Sequence, residues 1–211
     1  MLQTTYRAAA GAFTATCVVM QYWLLVRGET FAAMAATSVK FFSFFTVLTN
    51  VLAAVALLLP LITPHSAAGR FFTRPNVRTA ITGYIIIVGV VYYLLLSGLS
   101  RRQGWEIFFE HMAHYVTPPL FVLDWLLFVP KRDLDRRVAL GSLWYPLVYL
   151  VWTLLHGAVT GWYPYPFVDV ADLGYPRVLI NIAGLVLAFL ILQAALVGFG
   201  RMLARRGGPA D

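Results

Sequence analysis

Cysteine is almost missing from this chain: Cys17 is the one thiol in 211 residues. That excludes a disulfide framework and a thiolate metal site. Cys17 lies inside an apolar run, where burial disfavours the thiolate, so it is expected as a small core residue and not a nucleophile. Charge is scarce too. Asp, Glu, Lys and Arg make up 12% of the chain, against about 25% in soluble domains. With 60% hydrophobic residues, this shortage excludes a water-soluble fold and points to an integral membrane protein. Histidine occurs four times, at 65, 111, 114 and 156. A membrane di-iron enzyme needs several His-rich motifs, so that class is excluded, and no metal or cofactor is expected. A zinc held by His111, His114 and His156, or a haem between His114 and His156, are the metal alternatives that these four leave. Acidic side chains are outnumbered nine to sixteen, for a net charge of +7. The excess sits in short breaks between apolar runs, which is a topology signal and not a nucleic-acid-binding stripe.

What remains is apolar sequence in spanning lengths. Six runs approach or exceed the ~20 residues that a bilayer requires: about 8–26, 39–62, 77–99, 107–129, 138–159 and 178–203. The expected fold is all-α, a single polytopic membrane bundle of six transmembrane helices, with no second domain and no internal repeat to support an inverted-repeat transporter. Eleven Lys and Arg fall at the N-terminus, in the second and fourth breaks and at the C-terminus, against five on the other side. The positive-inside rule then places both termini in the cytoplasm. A cleaved signal peptide is the competing reading of the first run, which is long for one.

The informative residues are the polar ones inside these runs, because ionisable groups in a membrane span face a bundle interior, a cavity or a reaction site. Glu110, His111, His114, Thr117 and Asp124 all lie on the fourth run, where Pro118 and Pro119 remove two N–H donors and are expected to kink the helix. On the second run Ser43, Thr46 and Asn50 follow i, i+3, i+7 spacing, one polar stripe on a helix. With both runs entering from outside, Ser43 and His111 lie about 6 Å deep, Thr46 and His114 about 10 Å and Asn50 about 16 Å. Tyr92, His156 and Asn181 fall at the same level, while the inner halves are aliphatic. One outward-opening polar cavity is the expected arrangement. Thr46 or Ser43 is the candidate nucleophile and His114 its base; Asn50, His111, Thr117, His156 and Asn181 are candidates to orient the base or bind substrate. The plain alternative is that these polar groups only hold helices together. Asp124 is expected to pair with the basic boundary at Lys131 and Arg132. The aromatic, Pro-rich segment 161–167 is expected as an interfacial anchor or as a lip over the cavity.

Three stretches in order carry a resemblance: Lys40-Phe-Phe-Ser-Phe-Phe-Thr-Val-Leu-Thr-Asn50; His111-x-x-His114 leading to Pro119-Leu-Phe-Val-Leu-Asp124; and His156-x-x-x-Thr-Gly-Trp-Tyr-Pro-Tyr-Pro-Phe167. Together they resemble the androgen-induced-gene family of membrane threonine hydrolases, which cleave fatty acid esters of hydroxy fatty acids, and more closely its prokaryotic six-helix relatives. The resemblance implies a lipid or amphiphile ester as substrate, membrane lipid as surroundings and a bacterial plasma membrane as location. It implies His114 as the catalytic histidine. The threonine matches Ser43 if Lys40-Phe41 sets the frame, and Thr46 if Phe45 does. A non-enzymatic lipid or small-molecule carrier, or a structural membrane protein, is the alternative function.

Overall fold

The computed structural model describes residues 1–206, and these form helices and connecting turns with no strand. In chain order the helices are α1 (Leu2–Val26), α2 (Phe31–Phe42), α3 (Phe45–Ile62), α4 (Ala67–Thr73), α5 (Pro75–Val91), α6 (Gly104–His111), α7 (Thr117–Phe128), α8 (Val138–Gly141), α9 (Trp144–Thr160) and α10 (Val170–Arg206). Five stretches are long and apolar enough to cross a membrane: Leu2–Val26, Phe45–Ile62, Pro75–Leu96, Val138–Thr160 and Val170–Arg205. The fourth predicted run is helical from Gly104 to Phe128 but is not among them. It carries Glu106, Glu110, His111, His114 and Asp124, which dilute its apolar character.

Polarity is distributed inside out. Arg7, Thr14, Thr49, Asn50, Arg78, Thr82, Asp124 and Gln193 are buried, while Val19, Trp23, Leu127, Val151, Leu155, Ile180 and Ile191 are exposed. An apolar exterior of this extent marks a membrane-contacting surface, and buried polar groups that bond to one another are what a membrane bundle requires. The helical bundle is therefore an integral membrane one. Its centre packs α1 against α3, α5 against α3 and α7, and α10 against α5 and α8.

The interruptions are the informative part of this fold. The second predicted run is not one helix: Ser43 (φ −88°, ψ −2°) and the extended Phe44 (φ −84°, ψ 127°) separate α2 from α3. The Ser43 hydroxyl donates back to Val39 O at 2.7 Å, the local competition by which serine weakens a helix. The Ser43 carbonyl is taken up by Tyr149 Oη at 3.0 Å. Ser43 and Thr46 therefore sit on different elements, and the expected continuous stripe does not form.

Two π-helical turns follow, Tyr92–Leu96 after α5 and Met112–Val116 between α6 and α7. In the second, Thr117 N–H bonds to Met112 O, five residues back. Pro118 and Pro119 explain it: neither has an N–H for the carbonyls of His114 and Tyr115. The His114 carbonyl is accommodated at Gly89 on α5, where an added Cβ would lie 3.1 Å from that oxygen.

At the other end of the bundle Asp124 is fully buried, and its partners correct the expectation for it. It accepts from Arg7 Nε at 2.7 Å and from Arg78 Nη2 at 2.5 Å and Nε at 3.1 Å. Lys131 instead caps the end of α7, donating to the carbonyls of Trp125, Leu126 and Val129 at 2.7, 3.0 and 2.8 Å. Arg7 and Arg78, counted above among charges flanking the spans, are interior residues.

Candidate functional site

The two π-turns face each other. The Tyr92 ring from one stacks on the His114 imidazole from the other, with centroids 3.8 Å apart and planes 23° from parallel. Such bulges insert one residue into a helix and re-aim its neighbours, and they occur often at functional sites. His114 is buried, and its Nδ1 lies 2.7 Å from the Glu110 carbonyl. A carbonyl only accepts, so Nδ1 carries a proton, and the neutral ring leaves Nε2 as the basic nitrogen. The Glu110 carboxylate accepts from Ser100 Oγ at 3.2 Å and pairs with Arg102 at 3.2 Å. The loop between Leu96 and Gly104 is thereby tied down beside the histidine.

His114, Glu110, Tyr92, Thr46 and Arg102 line one cavity of about 350 Å³, closed on one side by Tyr165. Thr46 and Tyr165 also border a second, apolar cavity of about 60 Å³, walled by Val91, Leu150, Phe167 and Phe189. With Leu96 they form the partition between this partly polar chamber and a narrow greasy slot.

Thr46 lies in the first turn of α3, where helix N–H groups have no intrahelical acceptor. Tyr165 Oη meets both its N–H and its Oγ1, each at 3.3 Å. Because the N–H must be the donor to Oη, the tyrosine proton is free to point at Thr46 Oγ1. Either hydroxyl can be the donor in the second contact. Tyr165 is brought in by the loop after α9: the Tyr163 ring packs so tightly on Gly157 that a Cβ there would meet it at 2.0 Å. Asn181 Nδ2 holds the Phe167 carbonyl at 2.8 Å. Segment 161–167 is therefore folded inward at Tyr165, which is buried, while Trp162 lies beside Phe44 and Lys40.

The other predicted residues are placed as follows. Ser43 is away from this cavity, its proton given to Val39 O and its oxygen accepting from Trp152 Nε1 at 3.1 Å. His156 stacks on Trp152 and so belongs to that same neighbouring cluster. His111 is half-buried against Tyr115 and at the edge of Tyr92, outside the cavity lining. Asn50 donates to Thr46 O at 2.9 Å, and its Oδ1 is buried without a partner, as is the hydroxyl of Thr117. Asn181 braces the loop.

Among the described residues no three His, Cys, Asp or Glu side chains gather as a metal-holding group. Tyr165 was missed as a site residue because a loop tyrosine between two prolines reads as an interfacial anchor. Glu110 had a usable signal, a carboxylate inside an apolar run. No protein family, curated protein or solved structure matches the chain.

Proposed function

We propose that the chain is a membrane-embedded hydrolase of lipid or amphiphile esters, with Thr46 as nucleophile and His114 as general base. The reading rests above all on Thr46 and His114 lining the same polar cavity, with Nδ1 of the histidine held by Glu110 O so that Nε2 is the base. The resemblance to the membrane threonine hydrolases points the same way, and Thr46 lines the cavity while Ser43 lies outside it with its proton given to Val39 O.

In the proposed reaction His114 Nε2 takes the Thr46 proton, directly or through one water, as Thr46 Oγ1 bonds to the ester carbonyl carbon. The tetrahedral oxyanion develops beside the first turn of α3, whose dipole favours negative charge. On collapse the ester C–O bond breaks, and the leaving alcohol takes the proton from His114. Water from the chamber, deprotonated by His114, then attacks the acyl-threonine, releases the acid and returns the proton to Thr46. Tyr165 positions the nucleophile. The 60 Å³ slot takes only the first carbons of an acyl chain without side-chain movement.

The topology that goes with this reading has six spans, both termini cytoplasmic and the cavity opening outward in a bacterial plasma membrane. Gly104–Phe128, though less apolar than the others, is about 37 Å long at 1.5 Å per residue, which spans a core of about 30 Å.

A carrier for the same amphiphiles is the second reading. The observation favouring it is that Thr46 Oγ1 is bonded to Tyr165 and not to the imidazole. Hydrolysis of a panel of fluorogenic fatty acyl esters by the purified protein separates the two. Activity lost in both Thr46→Ala and His114→Gln and kept in Ser43→Ala supports the hydrolase; saturable ester binding without turnover supports the carrier.

A further inference from the structure

The far end of α10 from the Tyr165 loop holds the largest of the cavities described, about 610 Å³, and it belongs to neither the catalytic chamber nor the slot. One wall is Arg136 with the start of α8. The other is a single face of α10, on which Val197, Gly198, Arg201, Met202 and Arg205 recur at helical spacing. No acidic side chain lines it among the described residues. Arg201 is aimed by a bond from its Nε to the Leu134 carbonyl at 2.9 Å, and that carbonyl belongs to a buried residue. Among the described residues its two terminal nitrogens meet no acceptor. Gly198 opens the floor: a Cβ there would meet nothing within 4 Å.

We propose that this cavity binds an anionic phospholipid, with the phosphate on Arg136, Arg201 and Arg205 and an acyl chain lying over Val197, Gly198 and Met202. Three guanidiniums lining one cavity, with no carboxylate among its described lining residues, call for an anion, and arginine pairs with phosphate in two-point fashion. Solution phosphate has no use for the apolar half of the site. A lipid does, because the same helix exposes Leu187, Ile191 and Phe199 along the bundle surface, where acyl chains run. Basic pockets between helices at the membrane boundary take acidic headgroups in this way. The site is independent of the hydrolase reading and of which side of the membrane it faces.

Native mass spectrometry of the full chain in detergent, titrated with dioleoylphosphatidylglycerol, dioleoylphosphatidylcholine or inorganic phosphate, tests it. One phosphatidylglycerol per chain should be retained about tenfold more tightly than phosphatidylcholine. Each arginine near an acidic lipid is worth about fivefold, so Arg136→Gln with Arg205→Gln should lose about 25-fold. Among the described residues no hydrogen bond or ion pair is made by either of those two side chains, so this double variant should keep its structure. Adding Arg201→Gln should deepen the loss to about a hundredfold. Gly198→Leu, which keeps every charge but fills the floor, should also weaken lipid binding. Arg70→Gln with Arg74→Gln, outside the cavity, should change nothing. Equal retention of the two lipids, undiminished phosphatidylglycerol binding in the double variant, or displacement of the lipid by an equal concentration of inorganic phosphate would each overturn the proposal.

Discussion

Removing the charge of Asp124 should be the most damaging single polar change in this bundle. The carboxylate is fully buried and is the shared acceptor of two arginines, themselves 7% and 1% exposed. Asp124→Asn raises the net charge of this buried group from +1 to +2 and leaves the guanidiniums facing each other across one amide. Breaking a buried ion network from one side costs about 3–5 kcal/mol, because the surviving charges stay buried without compensation. That is about two to three and a half orders of magnitude in the folded-to-unfolded ratio. Unfolding in mixed micelles of rising dodecyl sulfate fraction measures it. The exposed Arg27–Glu106 pair, 4.0 Å apart with side chains 52% and 44% exposed, serves as the internal comparison. Glu106→Gln should shift stability by less than about 1 kcal/mol. Replacing all three charges together, Arg7→Leu, Arg78→Met and Asp124→Leu, should recover part of the loss. Asp124→Asn unfolding within about 1 kcal/mol of the parent would refute the reasoning, since it would mean the arginines find water or another anion.

Tyr165→Phe removes the hydroxyl that meets Thr46 but keeps the ring against Phe44 and Phe167; kcat/KM on an acyl ester should fall about 10- to 100-fold through a misplaced nucleophile, with dodecyl sulfate resistance unchanged. Gly89→Ala places a methyl 3.1 Å from His114 O and 3.4 Å from Pro118 Cγ. It should lower turnover more than substrate affinity, whereas Gly184→Ala, with open space at its Cβ, should be silent in the same kinetic assay. A reporter fused after Asp211 should be active only on the cytoplasmic side, and external activity would remove the orientation on which the outward-opening cavity depends.

Much of the bundle was legible because apolar length is what a membrane helix needs: the runs 8–26, 77–99 and 178–203 fall within or across the helical stretches Leu2–Val26, Pro75–Leu96 and Val170–Arg205, which extend up to eight residues beyond them at the N-terminal side. The break at Ser43–Phe44 was not legible. Phe-Phe-Ser-Phe-Phe contains neither glycine nor proline, and the break is held by partners distant in sequence, Tyr149 and Trp152. That break puts Ser43 and Thr46 on different elements, and of the two only Thr46 lines the cavity with His114. Pro118 and Pro119 did announce a disturbed helix, yet the form it takes, a π-turn with its free carbonyl against Gly89, depends on a neighbouring helix. Arg7 and Arg78 read as boundary charges because position along a run does not reveal a buried acid on another helix. Tyr165 could not be separated from its aromatic neighbours Trp162 and Tyr163, since what singles it out is the first turn of α3 beneath it.

The central claim, that Thr46 is a nucleophile served by His114, is tested most directly by mapping where an acyl-type fluorophosphonate probe attaches to the purified protein. A covalent adduct on the peptide carrying Thr46 is expected, abolished by Thr46→Ala, reduced at least about a hundredfold in rate by His114→Gln, and retained in Ser43→Ala. An adduct on Ser43, labelling of Thr46 that is indifferent to His114, or no adduct on a protein that still binds esters would contradict it.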